Sequence, residues 1–176
     1  MVLIPLSGKK AAGRSATVAD DVATEVLKYR WHCSAGYAAR TENYRRTDGR
    51  RAAHTIFMHH EVWRLAGRTI PAGHELDHIN GDRLDDRIAN LRPATRSQNH
   101  ANEKIRKSGT SQYKGVGWHK AAGKWEARIK HNGKLIWLGY FDDEPDAGQA
   151  YDTAARRLFG EYAKCNFPIE KEINNV

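Results

Sequence analysis

The sequence predicts an α+β chain of small modules in series: an N-terminal β region, a central strand–loop–strand–helix segment, and a C-terminal three-stranded antiparallel sheet packed on one helix. Three observations lead there. Two short apolar-containing stretches precede Thr95-Arg96-Ser97-Gln98, a Thr-x-x-Gln box in which each side chain can accept from the other residue's backbone N–H and so start a helix. Strand-like runs fill Tyr113 to Tyr140, with Asn132-Gly133 as a hairpin turn between the last two. Beyond them Ala147, Ala150, Ala154 and Leu158 recur at helical spacing and Gly160 is placed to end the helix.

A length of 176 residues allows one ordinary domain or two or three small ones, and texture divides the chain into 1–53, 54–107, 108–168 and a tail at 169–176. Lys and Arg number 29 against 21 Asp and Glu, a net charge of +8. Such a balance favours a polyanionic partner such as nucleic acid, although charge alone equally fits a merely basic protein. No apolar run approaches the ~18 residues of a membrane span, and Met1–Leu6 is too short for a signal-peptide core. A cytoplasmic protein with no membrane partner is therefore expected. Cys33 and Cys165 form no C-x-x-C pair, so free thiols are expected rather than a zinc ribbon.

In the first region, strand-like pieces at Tyr29–His32 and Gly36–Arg40 precede an Asp48-Gly49 turn signal. Its basic side chains suit either phosphate contacts or a solvated surface. In the second, Glu75–His78 reads as a short strand that enters a turn at Asn80-Gly81, and Asn90-Leu91-Arg92 as a second strand. The capped helix should then run from Thr95 through about Ile105, with Asn99 in its first turn where it can face the strand bearing Asp77 and His78.

Asp77-His78-Ile79-Asn80-Gly81, Asn90-Leu91-Arg92 and Ser97-Gln98-Asn99 together resemble the HNH nuclease motif of phage and intron homing endonucleases, enzymes of mobile genetic elements. The resemblance implies a ββα unit around one divalent metal. By position it makes Asp77 and Asn99 metal ligands, His78 the general base, and Asn90 the middle residue that braces the loop. The residue types suit the chemistry. A carboxylate and an amide oxygen form a hard, incomplete site for Mg²⁺, with Mn²⁺ also admitted, and a neutral imidazole can take a proton near neutral pH. Met58-His59-His60 resembles the Met-His-Arg element that leads into the motif, with His60 in place of Arg. His59 is thus a secondary candidate, with packing or loop bracing as the competing role. Asp86 stands where relatives often carry Asn.

Alternation in Lys124–Lys130 puts Trp125, Ala127 and Ile129 on one face and Lys124, Glu126, Arg128 and Lys130 on the other. Residues 113–140 carry six basic and one acidic side chain, and 142–161 two basic and six acidic. A basic sheet backed by an acidic helix suits a sheet that meets phosphates. Tyr113-Lys114-Gly115-Val116, Gly123-Lys124-Trp125, Trp137-Leu138-Gly139-Tyr140-Phe141, Ala150-Tyr151-Asp152 and Asn166-Phe167-Pro168 resemble the plant Apetala or ethylene-response-factor DNA-binding domain. That resemblance implies a sheet lying in the major groove, with Lys114, Arg128, Lys130 and Trp137 as contacts and Lys124 and His119 as weaker ones. Gly117 departs from it, standing where plant relatives carry Arg. Gly148, inside the expected helix, costs about 1 kcal/mol relative to Ala unless close packing requires it.

The function so implied is a metal-dependent DNA endonuclease of bacterial or phage-infected cells, nicking duplex DNA as a monomer or cutting both strands as a homodimer, with no protein partner evident. The alternative is a non-catalytic, sequence-specific DNA-binding regulator retaining an HNH scaffold. RNA binding ranks lower because the sequence shows no evident exposed aromatic stacking pair on the sheet.

Overall fold

The computed structural model describes residues 1–104 and 109–167, and the chain forms two compact units, Met1–Ala94 and Thr95–Val176. The expected tail, Pro168 and Ile105 lie outside the described residues. The architecture is mixed α+β, as the sequence predicts, with an N-terminal sheet and a C-terminal three-stranded antiparallel sheet packed on a helix.

In the first unit, β1 (Val2–Ser7), β2 (Ser15–Val18), β3 (Trp31–Ser34), β4 (Tyr37–Arg45) and β5 (Arg51–Phe57) form one sheet in the order β2-β1-β3-β4-β5. The β1–β3 pairing is parallel and the others are antiparallel. The helix α1 (Asp20–Val26) provides the crossover that parallel pairing needs, and Trp31 Nε1 donates to the Val26 carbonyl at 2.8 Å to tie helix to strand. Strands β1 and β2 and helix α1 add to the pieces foreseen around residues 29–40. The expected boundary after residue 53 falls inside β5, which leads directly into α2 (Met58–Leu65). Ile4, Val18, Val26, Trp31, Met58, Val62, Leu76 and Leu91 share one buried cluster, so the N-terminal sheet and the segment after it have a common core. Strands β6 (His74–His78) and β7 (Leu91–Thr95) pair as a second small sheet, and a 3₁₀ turn at Ile88–Asn90 precedes β7.

The second unit opens with α3 (Arg96–Asn102). Gln98 N donates to Thr95 Oγ1 at 3.3 Å and Thr95 N to Gln98 Oε1 at 2.8 Å, so both halves of the capping box form. The helix is shorter than expected, reaching its C-cap at Glu103. Strands β8 (Val116–His119), β9 (Lys124–His131) and β10 (Lys134–Phe141) follow in the order β10-β9-β8, all antiparallel, then α4 (Glu144–Phe159) capped by Gly160. Asn132 and Gly133 both adopt positive φ, 48° and 81°, the backbone of a tight hairpin turn. Ile129, Tyr151, Ala154, Ala155 and Phe159 form the core, joined by Ala101 of α3.

Tyr113 and Lys114 lie outside β8 because Gly115 turns the chain at φ 77°, and a Cβ there would stand 2.0 Å from Tyr151 Cδ2. Gly148 has the packing reason its helical cost demands: a Cβ would come within 3.1 Å of both Phe167 and Tyr113. Asp152, fully buried, accepts from Asn166 N and Phe167 N, each at 2.8 Å. Both cysteines are free thiols, and among the described residues no helix is long and apolar enough to cross a membrane.

Candidate active site and nucleic-acid interface

Strand β6 ends on Asp77 and His78, each 5% exposed. The following loop is held from within. Asn90 Oδ1 accepts from Asn80 N at 3.1 Å, and its Nδ2 donates to Asn80 Oδ1 at 3.1 Å and to the Asp85 carbonyl at 2.8 Å. Asn80 Nδ2 in turn donates to Asp85 Oδ2 at 2.8 Å. Arg87 donates twice to the Asp85 carboxylate, which holds that group below the usual carboxylate range. Thr17 of β2 docks the loop from outside, donating to the Leu84 carbonyl at 2.7 Å and accepting from Asp86 N at 2.8 Å. The chain from 80 to 90 is thus laced by hydrogen bonds, with Leu84 and Ile88 packed against the buried cluster of the first unit.

This bracing delivers Asp86 to His78. The Nε2–Oδ1 separation is 3.0 Å, and Asp86 is fully buried. An ionised carboxylate can only accept, so with Asp86 ionised this contact requires the His78 proton on Nε2. Burial pushes the Asp86 carboxyl up, while the bond from His78 opposes that shift. His59, in the first turn of α2, packs beside them with its ring centroid 5.1 Å from that of His78. Its Nδ1 lies 4.0 Å from Asp86 Oδ1, and both His59 Nδ1 and Asp86 Oδ2 are buried without hydrogen-bond partners among the described residues. Burial, then the neighbouring His60 and His78, pull the His59 pKa down to about 3, so it is neutral near pH 7. Tyr37 at the start of β4 closes the cluster, 5.2 Å from the His59 ring and 5.9 Å from that of His78.

Among the described residues one cluster brings metal-ligand types together. His59, His78 and Asp86 place their ligating atoms within 4.8 Å of one another, two imidazoles and a carboxylate with two orphaned polar atoms among them. Asp77 and Asn99 are the hard oxygen set that the sequence suggests. Asp77 is buried with its Oδ2 accepting from Arg92 Nε at 3.1 Å, and Asn99 lies on α3 in the other unit.

On the C-terminal sheet, register places Trp137 opposite Arg128 and Leu135 opposite Lys130, all four exposed, while Ile136 faces Ile129 inward. A bulge between Trp137 and Gly139 shifts the alternation, so that Tyr140 lies opposite Glu126 and shares the outer face. Trp137 and Tyr140, 59% and 41% exposed, meet edge to face at 5.4 Å. The expectation that this sheet lacks an exposed aromatic pair is therefore corrected, and strict alternation misses the pair because it does not anticipate the bulge. Trp125 is half-buried against Trp118, while Ala127 and Ile129 carry the buried face. Lys124 pairs with Asp142 at 2.9 Å. His119 accepts from Ala122 N through Nδ1 and packs tilted against the Tyr140 ring. Lys114 is engaged internally: its ammonium donates to the carbonyls of His100, Ala101 and Glu103 at the end of α3, and desolvation lowers its pKa to about 8.

A family model described as HNH endonuclease matches residues 57–101, from the end of β5 to α3. Protein 3.8 of Escherichia phage T7 is 41% identical over 106 residues, which make up 60% of this chain and 87% of the phage protein. The chain belongs to the HNH endonuclease family. As a family member it carries a second likeness, over its C-terminal region. The AP2/ERF and B3 domain-containing transcription repressor TEM1 of Arabidopsis thaliana is 37% identical over 80 residues, 46% of this chain and 22% of that protein. Dehydration-responsive element-binding protein 2D of the same plant is 47% identical over 58 residues, 32% of this chain and 28% of that protein. The chain thus spans about a quarter of these plant proteins. In this member of the HNH endonuclease family the sequence alone could not reveal Tyr37 as a neighbour of His78, since only the tertiary fold joins them. Asp86 left a trace as the departure from the usual Asn.

Proposed function

We propose that this chain is a metal-dependent endonuclease that hydrolyses a phosphodiester of duplex DNA, leaving a 5′ phosphate and a 3′ hydroxyl, and nicks one strand as a monomer. The observation that carries the proposal is the buried His78–Asp86 pair at the end of β6, held by a loop laced through Asn90 in a chain of the HNH family. Asp86 positions His78 through its contact with Nε2, and the role of taking the proton of the attacking water is assigned to Nδ1. Asn90 keeps the loop from relaxing away from this arrangement, and His59, neutral and apolar-packed, backs the His78 ring.

Asp77 and Asn99 would hold the divalent ion, Mg²⁺ or Mn²⁺; when bound, it neutralises charge on the scissile phosphate and the departing 3′ oxygen. We prefer them to the His59–His78–Asp86 group because oxygen donors suit these ions and because a ligating His78 would lose its role as base. The second unit supplies affinity through Arg128, Lys130 and Trp137 on its outer face, with Lys124 and His119 at the margin. Lys114 acts instead as a cap for α3. A metal titration separates the donor sets. Asp77→Ala and Asn99→Ala should weaken Mn²⁺ binding at least tenfold while His59→Ala leaves it within twofold. Loss of binding in His59→Ala with Asp77→Ala unaffected would reverse the assignment.

A further inference from the structure

The longest hairpin of the first unit is not covered by anything in its own fold. Strands β4 and β5 pair in register from Ala39–Phe57 to Arg45–Arg51, yet all ten residues from Thr41 to Arg50 are exposed, so the ribbon buries neither face over its outer half. A bare two-stranded ribbon is marginal in water. Its tip worsens the balance: Arg45 and Arg51 stand directly across from each other, and like charges in that relation are destabilising. Arg46 and Arg50 complete four arginines within seven residues, against the single carboxylate of Asp48. That carboxylate accepts from Arg50 N at 3.0 Å and lies 3.9 Å from the Arg50 guanidinium, and among the described residues no carboxylate pairs with Arg45, Arg46 or Arg51. Arg45 donates merely to the Gly49 carbonyl at 3.2 Å.

We propose that the β4–β5 ribbon is a duplex-DNA contact of the nuclease unit, entering the major groove with Arg45, Arg46, Arg50 and Arg51 against the phosphates. Charge and shape select this occupant. A polyanion relieves the repulsion between facing arginines, and the major groove, about 12 Å wide and 8.5 Å deep, admits a two-stranded ribbon. The strand from Ala39 to Arg45 spans about 20 Å, enough to pass the groove's depth. The root of the ribbon is as informative as its tip. Tyr37 and Phe57 meet edge to face at 5.7 Å and both pack on His59, while Tyr37 also touches the His78 ring. DNA held along the ribbon is thereby referenced to the residues proposed for catalysis. The element is separate from the C-terminal sheet, and its assignment rests on the proposal that the chain binds duplex DNA.

The test uses the full chain with chelator present to prevent cutting, and measures binding to a labelled duplex across a salt series. Replacing all four arginines by alanine should weaken binding at least tenfold at low salt and reduce the slope of log affinity against log salt by about two to four, close to 0.9 for each phosphate no longer neutralised. Replacing all four by lysine should preserve the slope. Both variants should melt with the unaltered chain, since the side chains are exposed; should the alanine variant melt early, loss of slope in the lysine variant would count against the proposal and retention for it. Unchanged affinity and slope in a folded alanine variant overturns it, as does a loss seen with single-stranded RNA but not with duplex DNA. Failure of the unaltered chain to bind duplex DNA would remove the proposed function and this one together.

Discussion

Replacing Asp86 by alanine removes the 3.0 Å hydrogen bond between its carboxylate and His78 Nε2, which on the proposed tautomer holds the proton there. Two effects on stability oppose each other. The stranded N–H costs about 1–3 kcal/mol, but the substitution also deletes a carboxyl whose charged form burial disfavours. A net loss within about 2 kcal/mol follows from that offset, small enough for the variant to fold. The kinetic effect has no such offset. A positioned general base contributes about 10²–10⁴ in rate, and losing the partner that orients a functional histidine typically forfeits about 10–100-fold. Under single-turnover conditions Asp86→Ala should therefore lower kcat by about 10–100-fold with KM within about threefold. Asp86→Asn, whose amide oxygen can accept at the same place, should recover most of that loss. The ¹⁵N shifts of the His78 imidazole should show an Nε2-protonated ring in the unaltered chain and a tautomer mixture in Asp86→Ala. Cleavage by Asp86→Ala at the unaltered rate, or a His78 ring protonated on Nδ1 in the unaltered chain, would refute the positioning role.

Other expectations follow from the same geometry. His59 titrates at about 3 when folded and near 6.5 when unfolded, so between those values the unfolded chain binds the extra proton and stability falls as pH drops. His59→Gln should flatten the slope of unfolding free energy against pH in that window by up to about 1.4 kcal/mol per unit, read by denaturant titration; identical slopes would place His59 in a more polar setting. Asp152→Ala strands two backbone N–H groups at Asn166 and Phe167 and should cost the second unit about 2–4 kcal/mol by thermal melting, whereas a loss under ~1 kcal/mol would mean that water replaces the carboxylate. Trp137→Ala should weaken duplex binding about tenfold with little change in melting, the pattern of an exposed contact; a lowered melting point with unchanged affinity would make it structural. Competition between duplex DNA and single-stranded RNA tests whether Trp137 and Tyr140 serve as a stacking platform, in which case RNA would win.

What the sequence disclosed and what it hid follow from the range of the forces involved. The capping box at Thr95, the Asn132-Gly133 turn and the helix ending at Gly160 are local chemistry, and each is found where the residues place it. The strand bearing Asp77 and His78 is equally local. The shared core of residues 4 to 91 is not: Ile4 and Leu91 join one cluster only through the tertiary fold, so texture suggested a boundary at 53 where a strand runs through. The outer aromatic pair escapes strict alternation because a single bulge reverses it after Trp137. Lys114 reads as a contact because its neighbours match a DNA-binding pattern, while in the fold its ammonium donates to the carbonyls of Ala101 and Glu103 at the end of α3, whose presence beside it no local signal announces. The partners of His78 also came from afar, Tyr37 across the sheet and Asp86 across a loop whose docking on Thr17 no local signal announces.

The most direct test of the central claim is plasmid cleavage. Supercoiled DNA carrying candidate target sites, incubated with the purified chain and Mg²⁺, should convert to the nicked form, stop converting when chelator is added, and remain supercoiled with His78→Ala. Binding of the same DNA without cleavage in either Mg²⁺ or Mn²⁺, or cleavage that survives His78→Ala, would contradict the account; the first outcome would favour a DNA-binding regulator built on an HNH scaffold.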